Sequence, residues 1–237
     1  MVTRSLLMVG HDRKILIDTG NGDKWQDKFR SIYNIDTESV NIELSLAKYG
    51  FNTEDITDVF CTHLHFDHIG GNTKYSNGEL VPVFPNATYW MQNENWELAN
   101  SPTEKDQGSF MKHDWSVLAE NGMIEFVDGR EQFLPNIDIE LSYGHTIGMM
   151  LPKLNDNSQT LIYMADLIPM AAHLPLPWIM SYDINSALTL EEKRSLLPKA
   201  VEENWTIFFE HDPIHQACKV CYDGKHFRLK KSVKISD

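Results

Sequence analysis

Short hydrophobic runs alternate with polar, helix-forming stretches along this chain, which is the pattern of an α/β protein. Several runs are rich in β-branched and aromatic residues and are too short to be core helices, so they are predicted to be buried strands. These strands are predicted over residues 14–20, 56–62, 87–92, 124–129, 137–144, 160–166 and 205–212.

Helices are predicted where apolar residues recur at helical spacing, over residues 37–50, 93–100, 106–121 and 188–204. In the first of them, Thr37 is placed as the N-cap and Gly50 as the stop. In the last, Pro198 is expected to interrupt or end the helix, because proline removes a backbone hydrogen bond.

The segment over residues 217–229 is predicted to be a hairpin that carries Cys218 and Cys221. Residues three apart in a strand point to opposite faces, so we interpret the two cysteines as structural rather than as half of a zinc site. The chain has 3 cysteines, fewer than a disulfide-stapled secreted fold uses, and the cytoplasm is the expected compartment.

Length and charge limit the partners. A chain of 237 residues can form one domain with a sizeable core, and we predict a single domain over residues 1–237. It contains no apolar run of membrane-spanning length, so no membrane partner is expected. The formal net charge of −13 disfavours nucleic acids, and a neutral small-molecule substrate is favoured.

The stretch THLHFDHIGG, residues 62–71, places three histidines and an aspartate within six positions. His63, His145, Asp166 and His211 each follow a strand-like run, so they are expected to converge at one edge of a sheet. The two glycines that end the stretch are expected to allow a tight turn under this site.

Imidazole and carboxylate ligands suit zinc, with iron, manganese and cobalt as alternatives. Histidines two apart in an extended loop can bind the same ion, while residues beyond a turn can face a second one. The predicted ligands are therefore His63, His65 and His145 for one ion, Asp67, His68 and His211 for the other, and Asp166 as the bridge between them.

HLHFDH matches the HxHxDH motif of the metallo-β-lactamase superfamily, which the chain resembles over residues 13–213. SYGHTIG, YMADLIP and FFEHDP resemble its later metal motifs in the same order, and ILIDTG resembles its early strand motif, in which Asp18 would brace the metal loop. The resemblance implies an αββα sandwich of two mixed sheets packed face to face, with outer helices. About a dozen residues precede the ILIDTG strand, so either the first sheet is expected to lack an N-terminal edge strand or the chain is a shortened version of a longer protein.

Within the superfamily, the sequence departs from several branches. His65 differs from the glutamate of flavodiiron oxidoreductases, and Asp166 from the cysteine of the best-known zinc β-lactamases. The acidic charge argues against nucleases, and the short stretch after His211 argues against glyoxalase II-like thioesterases. The chain thus resembles the lactonase and organophosphate hydrolase branch, which includes methyl parathion hydrolase-like enzymes.

Residues 167–183, LIPMAAHLPLPWIMSYD, are apolar and proline-rich and are called the pocket segment below. They are predicted to line a substrate pocket, although simple packing on the core is the alternative. Tyr182 or Tyr143 is the candidate for the tyrosine that such lactonases place near the substrate carbonyl. The predicted pocket residues are Met170, His173, Leu174, Trp178, Ile179 and Tyr182.

The expected function is hydrolysis of a neutral lactone, ester or phosphotriester by a hydroxide held between two divalent metal ions, with zinc favoured. Asp67 or Asp166 is the candidate catalytic base. Asp18, with Asp212 or Glu210, is expected to support the metal ligands through hydrogen bonds. A homodimer is left open. The alternative is a mononuclear iron enzyme resembling persulfide dioxygenases, and a non-catalytic partner-binding protein is a third interpretation.

Overall fold

The structure, a computed structural model, describes residues 2–36, 41–129, 132–156 and 158–235. The chain divides into an N-terminal unit, Thr3–Val127, and a C-terminal unit, Asp128–Asp237 with Met1–Val2. The single domain over residues 1–237 stays a prediction. Among the described residues, no helix is long and apolar enough to cross a membrane.

The N-terminal unit contains a mixed sheet, as predicted. Its described strands are β1 (Leu6–Val9), β2 (Lys14–Ile17), β3 (Asp58–Phe60), β4 (Thr73–Ser76), β5 (Glu79–Pro82), β6 (Thr88–Gln92) and β7 (Ile124–Val127). Of these, β1, β2, β3, β6 and β7 lie side by side in that order, with β1 antiparallel to β2 and the others parallel. The central strands are hydrophobic and β3 is buried throughout, as parallel strands usually are.

The expectation that an N-terminal edge strand is missing was wrong. Leu6 to Val9 pair in register with Ile17 to Lys14, so β1 is the edge strand of this sheet. The turn between the strands is closed by a hydrogen bond from Gly10 N to Arg13 O. Few residues are needed before β2, because a strand of four residues can pair with it through a turn of only a few residues.

The helices of the N-terminal unit are short: α1 (Asp27–Tyr33), α2 (Ile42–Lys48), α3 (Phe66–Ile69), α4 (Asn93–Asn100) and α5 (Ser116–Glu120). Asn41 caps α2 by accepting a hydrogen bond from Leu44 N, while the predicted cap, Thr37, lies outside the described residues. Gly50 follows this helix with a φ of 79°, in agreement with its predicted role as the stop.

The single helix predicted over residues 106–121 was wrong. That region contains two 3₁₀ turns, Gln107–Ser109 and Lys112–Asp114, before α5. Asp106 accepts hydrogen bonds from both N and Oγ1 of Thr103, so local turn chemistry replaces the start of a helix. The hairpin of β4 and β5 was missed, although Asn77 and Gly78 in its turn both have the positive φ that Asn-Gly turns adopt.

The C-terminal unit contains a second mixed sheet. Its described elements are β8 (Ile137–Ser142), β9 (Met149–Asn155), β10 (Thr160–Tyr163), α6 (Ser186–Glu202), β11 (Thr206–Phe208), β12 (Ala217–Tyr222) and β13 (Phe227–Val233). The strands lie in the order β13, β12, β11, β10, β9, β8, and β10 and β11 are parallel with α6 as the crossover between them.

Two predictions about this unit had different outcomes. Pro198 does not end α6, because Leu196, Leu197 and Ala200 around it are buried and their packing outweighs the loss of one backbone hydrogen bond. The hairpin of β12 and β13 is confirmed, and its cysteines are free, with Cys218 buried and Cys221 partly exposed.

Candidate metal centre

The histidine motif begins directly after the buried strand β3. His63, His65 and His68 are all buried, and His65 is the N-cap of α3, which carries Asp67 and His68. Nε2 of His63 lies 3.0 Å from Nδ1 of His65, so both rings direct a nitrogen to the same place. This is the geometry expected of two histidines that bind one cation.

Asp18 holds the motif from β2. Its Oδ1 accepts a hydrogen bond from Thr62 N at 2.8 Å, and its Oδ2 accepts one from Thr62 Oγ1 at 2.6 Å. Oδ2 also lies 3.0 Å from Nδ1 of His68, which must donate its proton to an ionised carboxylate. Nε2 of His68 is then the nitrogen with a lone pair, and Asp18 has the bracing role predicted for it.

Thr62, held by Asp18, in turn orients the ring of His63. The hydroxyl proton of Thr62 goes to Asp18, so its oxygen accepts from Nδ1 of His63, 3.1 Å away. This hydrogen bond leaves Nε2 of His63 to act as a metal ligand.

The glycines at the end of the motif lie in the expected tight turn, the 3₁₀ helix Gly70–Asn72, and they also permit close backbone packing. A Cβ atom on Gly70 would lie 2.2 Å from Asn21 O, and one on Gly71 would lie 2.4 Å from Thr19 O. Gly70 has a φ of −56°, which any residue can adopt. The glycines therefore let the chain after β2 lie against α3, where Thr19 N donates to His68 O at 2.6 Å.

Lys24 secures the same region and was missed in the sequence. Its buried ammonium donates to Gly70 O and, at 2.6 Å, to Thr73 O, and it lies 3.1 Å from Oδ1 of Asp114. Burial raises the pKa of Asp114 to about 6, against the attraction of Lys24, which lowers it.

The C-terminal unit brings three predicted ligands together, with two histidines beside the carboxylate of Asp166. Oδ2 of Asp166 lies 3.2 Å from Nε2 of His145, and Oδ1 lies 3.0 Å from Nε2 of His211. All three side chains are almost completely buried. One carboxylate with an oxygen towards each of two histidines has the arrangement that a ligand bridging two ions requires.

Both predicted histidine ligands of this unit are oriented through Nδ1. Nδ1 of His145 lies 2.9 Å from Oδ1 of Asp183, whose Oδ2 accepts from Oγ1 of Thr189 at 2.8 Å. Nδ1 of His211 lies 2.7 Å from the carbonyl oxygen of Val2. A carbonyl or carboxylate accepts the Nδ1 proton in each case, and Nε2 is left as the ligand atom.

The donor chemistry of both units therefore fits metal ions. His63, His68, His145 and His211 each have an oxygen acceptor at Nδ1. Histidines that bind metal usually show this arrangement, because the outer hydrogen bond fixes the ring and its tautomer.

One face of α6 supports the loop that carries His145. Glu192 accepts hydrogen bonds from Tyr143 N at 2.6 Å, from Ser142 Oγ at 2.7 Å and from Gly144 N at 3.3 Å. A Cβ atom on Gly144 would lie 2.4 Å from Thr189 N, so only glycine permits this approach. Burial raises the pKa of Glu192, although these hydrogen bonds act in the opposite direction.

The predicted pocket residues lie in different environments. Leu174 is completely buried, whereas Trp178 is 60% exposed and Tyr182 is 53% exposed. Met170, His173 and Ile179 are partly exposed. The ring centroid of Tyr182 lies 6.1 Å from that of His145, which places this tyrosine beside a predicted ligand.

Comparison with known proteins identifies the family. The family model for the metallo-beta-lactamase superfamily matches residues 2–211. The chain belongs to the metallo-beta-lactamase superfamily. Together with the relatives described next, this membership confirms the prediction of a metal-dependent hydrolase at the level of the superfamily.

Relatives of this superfamily member include lactonases. The chain is 23% identical over 196 residues to an N-acyl homoserine lactonase of Bacillus cereus, which covers 78% of this chain and 67% of the relative. A probable metal-dependent hydrolase from Staphylococcus aureus has a TM-score of 0.85 at 24% identity. This match covers 98% of the present chain and 83% of the Staphylococcus aureus chain. The dizinc quorum-quenching lactonase AidC, solved with a product, has a TM-score of 0.82 at 23% identity. This match covers 99% of the present chain and 80% of the AidC chain. These likenesses confirm the α/β fold class of the superfamily.

Three orienting residues of this superfamily member were not predicted: Asp183, Glu192 and Lys24. No spacing in the sequence marks them, because each acts on an element distant along the chain. Asp212, named as a candidate support, accepts hydrogen bonds from the backbone of Ala171, Ile214 and His215. Burial acts to raise the pKa of Asp212, but these backbone donors lower it, and the bond from Ala171 N ties Asp212 to the pocket segment.

Proposed function

We propose that this chain is a binuclear metal-dependent hydrolase of a neutral ester-type substrate, with a lactone as the first candidate. The observation that carries the proposal is the position of Asp166, which has one oxygen near His145 and the other near His211. The names of the relatives, which are N-acyl homoserine lactonases, favour a lactone over an open ester or a phosphotriester.

The proposed ligands are the ones inferred from the sequence. His63, His65 and His145 would hold one ion, Asp67, His68 and His211 would hold the other, and Asp166 would bridge them. Motif order and family membership support this assignment, and so do the hydrogen bonds at Nδ1 in each unit. Bound divalent ions, with zinc favoured, would supply a nucleophile at neutral pH and polarise the substrate carbonyl.

The chain itself would contribute orientation and proton transfer. Asp18, Thr62 and Asp183 keep the histidine rings fixed, so that little reorganisation is needed during the reaction. Asp67 is the proposed proton acceptor, because its side chain is 16% exposed while that of Asp166 is 4% exposed. A proton that Asp67 accepts can therefore leave for solvent.

The charge and the pocket segment support a neutral substrate. The formal net charge of −13 repels polyanions, and the pocket segment presents partly exposed apolar side chains. Tyr182, which lies beside His145 and is about half exposed, is the proposed hydrogen-bond donor to the substrate carbonyl. The partner is thus a small molecule.

The test is a substrate panel assayed with zinc, manganese and cobalt: homoserine lactones of several acyl lengths, chromogenic esters and paraoxon. We expect lactone hydrolysis to dominate and Asp166→Asn to lower kcat/KM at least about 100-fold. Glu191→Gln, a change of a 63% exposed side chain on α6, is the matched control and should act like the unchanged chain. Full lactonase activity in Asp166→Asn would contradict the bridging role.

The alternative, a mononuclear iron enzyme acting on persulfides, receives no support from the relatives described above. Oxygen uptake on glutathione persulfide, with no hydrolysis of any substrate in the panel, would overturn the hydrolase proposal.

A further inference from the structure

Lys193 is a completely buried lysine on α6 whose partners are backbone carbonyls of the pocket segment. Its Nζ donates to Pro175 O at 2.9 Å, to Trp178 O at 2.8 Å and to Leu176 O at 3.3 Å. An ammonium group has three N–H donors, and these carbonyls match all of them.

Such a lysine has a physical reason to hold this particular backbone. Pro175 and Pro177 lack an N–H group, so residues 175–178 cannot form regular backbone pairing. A charged group without partners would be expensive to bury, and the carbonyl dipoles offset part of that cost. Burial lowers the pKa of Lys193 to about 8, so the ammonium form still predominates at neutral pH.

The neighbours of Lys193 on α6 connect it to a predicted metal ligand. Thr189 lies one turn earlier on the same helix face and donates to Asp183, which orients His145. Glu192, the adjacent residue, holds the backbone at Tyr143 and Gly144. One rigid helix therefore fixes both the His145 loop and residues 175–178.

We propose that Lys193 is a positioning residue that fixes the backbone of residues 175–178 relative to His145 and so determines substrate selectivity. The inference rests on the proposed function, because it takes the pocket segment as a wall of the substrate site. Lys193 contacts no predicted ligand and is not itself catalytic.

The position of residues 175–178 determines which kinetic constant should change when the Lys193 ammonium is lost. Trp178 is held by its carbonyl while its side chain is exposed, so its position depends on the Lys193 hydrogen bond. Unlike Tyr182, the side chains of residues 175–178 would contact the variable substituent of a lactone rather than the ring that is opened. Loss of the ammonium should therefore alter KM and discrimination between acyl chains more than kcat.

The test compares Lys193→Met, which keeps most of the length of the side chain without its donors, with Arg194→Met. Arg194 is the neighbouring cation on α6, is 51% exposed and pairs with Glu191, so its replacement controls for lost charge. For Lys193→Met we expect KM for a long-chain homoserine lactone to rise about 5-fold to 10-fold while kcat changes less than about 3-fold. In Lys193→Met the ratio of kcat/KM between long-chain and short-chain homoserine lactones should move closer to one. In Arg194→Met this ratio should stay unchanged.

Hydrogen–deuterium exchange supplies a readout that does not need activity. Peptides covering residues 174–182 should exchange faster in Lys193→Met than in Arg194→Met, because Trp178 N donates to Pro175 O, a carbonyl that Lys193 also holds. Lys193→Gln keeps two donors, so both protection and selectivity should lie between those of Lys193→Met and the unchanged chain. If Lys193→Met does not fold, Lys193→Gln carries the comparison.

The outcomes separate this inference from the proposed function. Unchanged exchange and unchanged selectivity in both Lys193 variants would overturn the positioning role. Faster exchange together with an equal fall of kcat on all substrates would overturn the selectivity role. If the unchanged chain hydrolyses no lactone, the proposed function fails, while the exchange measurement still decides whether Lys193 positions the segment.

Discussion

Asp183 holds Nδ1 of His145 at 2.9 Å with one carboxylate oxygen and accepts from Thr189 Oγ1 at 2.8 Å with the other. Helix α6 thereby sets the tautomer of a histidine that lies before β9. The same principle recurs in the N-terminal unit, where Asp18 holds both Thr62 and His68. In each unit an aspartate from another part of the chain prepares a histidine to act as a ligand.

The first prediction concerns Asp183→Asn. The amide cannot accept hydrogen bonds from both partners as an ionised carboxylate does, so His145 loses part of its orientation and basicity. We expect zinc affinity, measured by competition with a chromogenic chelator, to fall about 10-fold to 100-fold, with activity partly restored at high zinc. Glu191→Gln is the control, and equal affinities of the two variants would contradict the role of Asp183.

A second prediction concerns the backbone approach at Gly70. Gly70→Ala would place a Cβ atom 2.2 Å from Asn21 O, so the chain must shift, and we expect a loss of about 1–3 kcal/mol in the free energy of unfolding. Gly108→Ala is the matched control, because a Cβ atom there meets nothing within 4 Å. Chemical denaturation measures both variants, and equal stabilities would show that the approach is not needed.

A third prediction concerns the buried pair of Lys24 and Asp114, 3.1 Å apart. Lys24→Met leaves a buried carboxylate without its cation and should cost about 3–5 kcal/mol of unfolding free energy. Adding Asp114→Asn should recover part of this loss, so a double-mutant cycle should show strong coupling. Strict additivity of the two changes would contradict the pairing.

The pKa of Asp114 gives a prediction for pH. Burial raises this pKa from 3.8 to about 6, with Lys24 opposing the change, so the folded state binds more protons than the unfolded state between these values. The stability that Asp114 contributes is present in full below about pH 4 and is lost as the pH rises through about 6. The unfolding free energy of the unchanged chain should thus fall by about 3 kcal/mol relative to Asp114→Asn over that range.

Denaturation at several pH values checks this difference, because titrations of other groups cancel between the two proteins. A difference that stays constant from pH 4 to pH 7 would show that Asp114 titrates normally in the folded state.

The strands that lead to the site could be predicted because their signal is local. β3 is buried throughout and lies within residues 56–62, which were predicted to be a buried strand, and the motif that follows places Asp67 and His68 on a short turn of helix. The role of Asp18 was predictable only through the resemblance, since its partners lie more than 40 residues away. Ala165 adopts a φ of 39°, a backbone conformation that glycine adopts more readily than other residues.

The supports of the C-terminal unit were not predictable for the same reason. Asp183, Glu192 and Lys193 look like ordinary polar residues at the end of a loop and on a helix. Their roles arise only because α6 brings them to backbone and ring groups that lie 15–49 residues away in sequence. Pro198 is the converse case. Its strong local signal predicted a break in the helix, but the burial of its neighbours keeps α6 continuous.

The most direct test of a binuclear hydrolase is metal analysis of the whole chain purified without added metal, combined with the lactone assay. We expect close to two zinc-type ions per chain, a loss of hydrolysis when they are removed, and recovery when zinc is restored. One iron per chain, with oxygen uptake on glutathione persulfide and no lactone hydrolysis, would contradict it.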